Sequence, residues 1–424
     1  MAELKRVNPW VWVPSLYYAE GLPYIIVTAL SVVMYKRLEL SNAEIALYTS
    51  WLYLPWVIKP FWSPIVDMKS TKRKWFLILQ LILALSILGV ALSLRLNAWL
   101  SFSLFFFWLA AFSSATHDIA ADGFYMIGLK EKEQSFFIGV RSTFYRISLI
   151  TGQGLIVILA GHLEESWQDN HKAWSVTLLL VSAGMFLLTA YNFMAVPKKE
   201  KPRQINVNPL KGFFEVFVTF FKKKEIVVAI AYILLYRLGE SQLVKLASPF
   251  LLDERQAGGL ELSTQQVGFI YGTLGFIALS LGGILGGFLV SRDGLGKWMW
   301  KMALALNTPN LLYVLLAWFQ PEQVEWVMGA VVIEQFGYGL GFTSFMLYLI
   351  YLAEGETKTA HYAIGTGLMA LGMMLPGMAS GYLQEWMGYR MFFTWVVIAA
   401  VPGIYIIKYL SYPREYGKQD IEKS

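Results

Sequence analysis

Asp118 and Asp122 stand four residues apart near the end of a long apolar stretch. On an α-helix that spacing puts both carboxyls on one face, with His117 about 100° away. Two carboxylates facing one cavity repel, which raises the proton affinity of the pair. Such a pair can take a proton from one side of a barrier and release it to the other. Glu20 is a third acid inside an apolar stretch, and with Asp118 and Asp122 it completes the expected proton-handling set. Five basic residues share this setting: Lys59, Arg141, Arg146, Arg237 and Lys245. A guanidinium suits carboxylate because its donors match two oxygens at once. Arg146 and Gln153, seven apart, share a helix face, whereas Arg141 lies roughly 140° from Arg146. Both arginines therefore cannot point straight at one ligand. Either both satisfy the aspartates, or one does so while the other meets a substrate.

Arg237 and Glu240 are spaced to pair locally on a helix, and Gly239 between them loosens the backbone. Glu20-Gly21-Leu22-Pro23 offers a matching weak point, where proline removes a backbone hydrogen bond. Breaks beside charge near mid-membrane point to a central site; helix packing alone is the competing explanation. Lys59, Arg141, Arg146, Arg237, Glu240, Lys245, Tyr18, Gln153 and Glu334 are the candidate substrate-binding residues. No nucleophile, acid and base converge as an enzyme would require. Cysteine is absent, and His117, His162, His171 and His361 are too scattered to suggest a metal cluster. No metal or cofactor is expected, and a proton gradient is the expected driving force.

The elements that must hold these charges are twelve apolar stretches, at 10–35, 43–66, 75–94, 98–124, 136–160, 174–195, 226–250, 265–290, 298–319, 324–350, 360–384 and 391–410. Each approaches or exceeds the roughly 20 residues that cross a hydrocarbon core. A buried charge in such a span costs about 2.5–3.5 kcal/mol on insertion scales, so it belongs in a bundle interior or a hydrated cleft. The chain is 56% apolar and only 15% charged, which excludes an ordinary soluble protein of 424 residues. Placing the N-terminus in the cytoplasm puts 24 Lys and Arg on that side, 6 on the other and 5 within spans. This positive-inside bias predicts cytoplasmic termini and argues against a nucleic-acid partner. The first stretch is longer than a signal h-region and is expected to remain. The expected partners are the lipid bilayer and a small-molecule substrate, around a monomer.

Two halves repeat each other. Ser41-Asn-Ala-Glu44 precedes the second stretch and Ser263-Thr-Gln-Gln266 the eighth, both as S-x-x-E/Q capping boxes offset by 222 residues. Asp67 with its following basic run recurs as Asp293 with Lys297, and Gly139 as Gly365, both 226 apart. The expected fold is all-α and integral to the membrane: twelve transmembrane helices in two pseudo-symmetric six-helix bundles. The division expected is a bundle over 1–195, a basic proline-containing cytoplasmic linker over 196–224, and a bundle over 225–424. Within the linker, 210–221 reads as an amphipathic surface helix or as an extension of the seventh span. The acid and basic run after the second and eighth spans resemble the cytoplasmic loop motif of the major-facilitator superfamily. That resemblance implies a charge latch from Asp67, Lys72, Arg73, Asp293 and Lys297.

Tyr18-Ala-Glu-Gly-Leu-Pro23, Lys59-Pro-Phe-Trp-Ser-Pro-Ile-Val-Asp67, Ala115-Thr-His-Asp-Ile-Ala-Ala-Asp122 and Ser380-Gly-Tyr-Leu-Gln-Glu-Trp-Met-Gly388 resemble the muropeptide permease (AmpG) family of major-facilitator transporters. The resemblance runs through both halves. It implies proton-driven import of anhydro-sugar muropeptides across a bacterial inner membrane for cell-wall recycling. It also maps the family's intramembrane lysine onto Lys59 and its paired aspartates onto Asp118 and Asp122. The chain departs from the family pattern at His117, where glutamine is usual, and at Gly123-Phe-Tyr125-Met, where Ala-Tyr-Arg is common. The expected function is a proton-coupled importer in which 1–195 rocks against 225–424 around a central site. The alternatives are a major-facilitator transporter or exchanger of another anionic or sugar substrate, such as an oligosaccharide or acyl-coenzyme A, and a non-transporting receptor.

Overall fold

The computed structural model describes residues 7–68, 70–129, 131–198, 209–355 and 358–418, and every regular element among them is helical. The first rod is α1 (Pro9–Ile25), a π-turn at Ile26–Leu30, and α2 (Ser31–Arg37). It starts where Asn8 accepts the Trp10 N–H and Pro9 supplies a preset φ at the first helical position. Then come α3 (Asn42–Trp51), α4 (Leu54–Met68), α5 (Lys72–Ser93) and α6 (Trp99–Gly128). α7 (Glu131–Ile150) runs through a π-turn at Thr151–Leu155 into α8 (Ile156–Trp167), followed by α9 (Asn170–Ala195) and α10 (Pro209–Phe221). The second half opens with α11 (Ile226–Leu235), α12 (Leu238–Leu252) and α13 (Thr264–Phe269), whose π-turn at Ile270–Gly275 leads into α14 (Phe276–Asp293). It closes with α15 (Leu295–Asn307), α16 (Asn310–Phe319), α17 (Val324–Ala353) and α18 (Lys358–Tyr405).

Ten rods among the described residues are long and apolar enough to cross a membrane. One of them, Ala360–Tyr409, contains a sharp break at Gly388, whose φ of 72° suits glycine, so it carries the eleventh and twelfth expected spans. The second expected span is shared between α3 and α4. All twelve apolar stretches thus lie on helices.

Both capping boxes are formed. Ser41 Oγ accepts the Glu44 N–H while Glu44 accepts the Ser41 N–H at 3.0 Å, and Ser263 with Gln266 does the same at 2.9 Å. The breaks fall close to, but not on, the expected weak points at Pro23 and Gly239. Span 7 is interrupted at Tyr236–Arg237, and span 1 carries its π-turn three residues beyond Pro23. The glycines serve close packing instead. A Cβ on Gly21 would lie 2.1 Å from Ser148 Oγ, and one on Gly239 would lie 2.5 Å from the Val396 carbonyl. In the 196–224 connection, α10 is a separate helix: a turn and the left-handed Glu225 (φ 57°) divide it from α11, so it does not extend span 7.

Contacts divide the chain into two compact units, Met1–Glu39 with Ile58–Pro209, and Leu40–Val57 with Leu210–Ser424. The segment 40–57, expected with the first half, therefore packs within the second unit. The reason is local. A Cβ on Gly381 would come within 2.1 Å of the Asn42 carbonyl, and one on Gly377 within 2.8 Å of Ser50 Oγ. These two glycines, four apart on α18, let α3 lie close, and Asn42 then donates to Gln384 at 2.7 Å and to Tyr389 at 2.8 Å. Large aromatics fill both interiors: Trp12, Tyr17, Phe76 and Phe124 in the first unit, and Tyr232, Tyr236 and Phe345 in the second.

Candidate functional site

In the first unit the two span 4 aspartates hang from α6, and each meets a different cation. Arg141 on α7 reaches Asp122 at 2.8 Å, and Tyr17 on α1 donates to the same oxygen at 3.0 Å. The Arg141 guanidinium also lies 4.4 Å from the Tyr17 ring and 5.3 Å from the Tyr125 ring, which fixes its plane. Asp118 pairs with Lys59 of α4 at 3.4 Å. Arg146, half-buried, has no polar partner among the described residues, so of the two arginines only Arg141 serves the aspartates. Tyr18 and Gln153 are likewise half-buried without a hydrogen bond to described residues. The Asp122 side chain keeps 42% of its surface open, against 18% for Asp118. The pair is thus graded from wet to nearly dry.

Glu20 lies deeper still. It is buried, and its Oε2 has no hydrogen-bond partner. One atom each from Glu20, His117 and Asp118 falls within 4.8 Å of the others. Comparing histidines only with one another missed this grouping, because it joins one histidine to two acids from separate helices. α1 can lie this close to α7 because Gly21 meets Tyr145 and Ser148 without a side chain of its own.

The second unit holds a different set. Lys245, fully sheltered on α12, donates to Thr49 Oγ1 at 2.9 Å and lies 4.9 Å from the Tyr53 ring centre. No carboxylate among the described residues pairs with it. Arg237 and Glu240 make a forked ion pair, Nε and Nη2 each on one carboxylate oxygen, and Tyr338 OH accepts from the same guanidinium at 2.7 Å. Both residues are buried. Glu334 accepts from Gln335 at 2.9 Å and from Tyr271 at 3.4 Å. Arg237, Glu240 and Glu334 are therefore engaged by their own neighbours, whereas Lys245 has no acid partner among the described residues.

At the loop motif the two copies differ. Asp293 pairs with Arg292 at 2.9 Å and Lys297 at 3.1 Å, and accepts the Trp298 N–H at 3.0 Å. The side chain of Asp67 lies outside the described residues. Arg73 instead donates to the Phe193 and Val196 carbonyls at the end of α9, and Lys72 packs beneath Gly123. In the first copy, then, Arg73 also serves a helix end.

Gln80, Asn192, Thr49 and Tyr53 complete these clusters without having been singled out as site residues. Lone amides inside apolar spans, such as Gln80 and Asn192, were the available signal, since a buried amide requires partners.

The family model described as the Major Facilitator Superfamily matches residues 21–360. A Rickettsia conorii protein carrying the transporter name AmpG 4 is 26% identical, over 92% of this chain and 94% of its own. The anhydromuropeptide permease of Escherichia coli K12 is 25% identical, over 95% of this chain and 80% of its own. Among solved structures, a D-xylose-proton symporter superposes with a TM-score of 0.74 at 10% identity, covering 98% of this chain and 100% of that one. The nucleoside transporter NupG gives 0.71 at 16%, covering 95% and 98%. These solved structures show the same fold.

Proposed function

We propose, for a chain that belongs to the Major Facilitator Superfamily, proton-coupled import of an anionic sugar-peptide of the anhydromuropeptide class across the bacterial inner membrane. The observation that carries the proton coupling is the graded carboxylate pair, Asp122 on Arg141 and Asp118 on Lys59, beside a buried Glu20. A carboxylate that releases its cation must take a proton or another partner, because an unpaired ion in this setting is costly. Protonation therefore frees Arg141 or Lys59 for a substrate carboxylate, and deprotonation recaptures it. Arg146, without an acid partner among the described residues, adds a further anchor for an anion, and in the second unit Lys245 likewise lacks one. Tyr18 and Gln153 supply hydrogen bonds to its neutral parts.

Similarity to the Escherichia coli anhydromuropeptide permease supports the substrate class. A net inward movement of anion opposes the membrane potential by about 2.3 kcal/mol per charge per 100 mV, and protons carried with it offset that cost. Cytoplasmic termini follow from the positive-inside bias. Labelled anhydromuropeptide uptake into proteoliposomes, with and without an imposed proton gradient, tests the reading. Accumulation only with the gradient supports it; equal uptake without one overturns the coupling, and binding without counterflow would mark a receptor.

A further inference from the structure

A chain of largely buried polar side chains in the first unit ends at His117. Ser15 Oγ–H on α1 donates to Asn192 Oδ1 on α9 at 2.6 Å. Asn192 Nδ2 donates to Gln80 Oε1 on α5 at 3.1 Å. With its oxygen so engaged, Gln80 presents its amide nitrogen to His117 Nε2 at 3.0 Å. An amide N–H facing Nε2 makes that nitrogen the acceptor, so the neutral ring carries its proton on Nδ1. His117 is fully buried, and Nδ1 has no partner; the same is true of Glu20 Oε2. The unmet donor and the unmet acceptor thus belong to two residues that, with Asp118, each bring one ligand atom within 4.8 Å of the others. A modest side-chain swing or one bridging water joins them.

We propose that His117 is a positioning residue of the proton site: the Ser15–Asn192–Gln80 chain holds its imidazole neutral with the proton on Nδ1, and that N–H steadies the Glu20 carboxylate after Glu20 releases its proton. The proposal rests on the proton-coupled reading and names the device that sets when Glu20 lets go. No bond other than hydrogen bonds is made or broken at His117; the proton gained and lost here is that of Glu20, and the imidazole keeps its own. Ionising the ring would place an Nε2–H against the Gln80 amide. Reversing that amide requires Asn192 to turn with it and Ser15 to give its hydrogen to the Trp12 carbonyl, 3.2 Å away, so the imidazolium form requires the whole chain to rearrange.

Glu20 is also surrounded by other charges: Asp118 and Asp122 on α6, Lys59 on α4 and Arg141 on α7, with Tyr17 on its own helix and Tyr145 opposite. All of these remain in place when only His117 or its chain is altered.

The test follows the protonated-carboxyl stretch of purified, lipid-reconstituted protein by infrared titration, with Glu20→Gln assigning the band. A donor to a carboxylate favours its charged form, so losing it makes Glu20 hold its proton to higher pH. In His117→Leu the band should persist about one pH unit higher, a roughly tenfold gain in proton affinity. Asn192→Leu, which touches neither His117 nor Glu20, should move it the same way by less. His117→Gln keeps a donor and should stay within a few tenths of wild type, and it serves if the leucine variant does not fold. An unmoved band in His117→Leu, or in Asn192→Leu, overturns the proposal. Gradient-independent uptake by the wild type would instead overturn proton coupling, and the band titration reads His117 separately from that result.

Discussion

Two acid–base clusters, one per unit, use the same residue types to opposite ends. In the first unit, Arg141 and Asp122 meet at 2.8 Å while 28% and 42% of their side-chain surfaces stay open. In the second, Arg237 and Glu240 bind through two contacts with 7% and 2% open, and Tyr338 takes a further donor. An open pair gains little from its attraction and exchanges partners readily. A closed, forked pair cannot separate without leaving a bare charge in a dry place. Exposure, rather than residue type, separates the two clusters, and under the proposed function the first is where protons and ligand would compete. The second is a rivet across the break at Tyr236–Arg237.

The comparison can be broken most directly at Glu240. Glu240→Ala strands Arg237 and is expected to cost about 3–5 kcal/mol of stability, read as a lowered unfolding midpoint in detergent. A loss below about 1 kcal/mol would show that the closed pair is as exchangeable as the open one. Next in size, Lys245→Met is expected to weaken substrate protection against thermal unfolding by about tenfold in apparent affinity, the equivalent of one charged contact at about 1.4 kcal/mol. The unliganded protein should be no less stable, since an ammonium without a carboxylate is costly to bury. Asp122→Asn is expected to abolish gradient-driven uptake but to keep substrate exchange, with a stability change under about 1 kcal/mol. Unaltered pH dependence of uptake in this variant would remove Asp122 from the coupling. Smallest, and expected to be equal in the two units, Ser41→Ala and Ser263→Ala should each cost about 1 kcal/mol through loss of a helix cap. An unequal result would show that the repeat is preserved in wording and not in energetics.

What could be read from the chain beforehand was what depends on neighbours in sequence. The capping boxes at Ser41 and Ser263 formed because side chain and backbone lie three residues apart. The 140° separation of Arg141 and Arg146 said that both could not point straight at one ligand, and left open whether one or both met the aspartates; Arg141 alone does so. The angle could not say which one, because the choice depends on where α7 passes α6. Lys59 with Asp118 and Asn192 with Gln80 join residues 59 and 112 positions apart. No periodicity encodes such meetings. The breaks were misplaced by two or three residues for a related reason: Gly21 and Gly239 are small to admit a neighbouring helix, and the backbone yielded beside them instead.

The Asn42 amide carries a consequence of its own. Its two hydrogens have three claimants, Gln384 at 2.7 Å, Tyr389 at 2.8 Å and Asp253 at 3.3 Å, while Glu385 accepts the next backbone N–H at 2.8 Å. Exchanging that single nitrogen for oxygen, as Asn42→Asp does, turns a donor shared among acceptors into a third negative charge beside Asp253 and Glu385. Adhesion becomes repulsion with almost no change of shape. Because the chain has no native thiol, one cysteine introduced at Ser50, under the same helix crossing, would report the parting by its rate of alkylation.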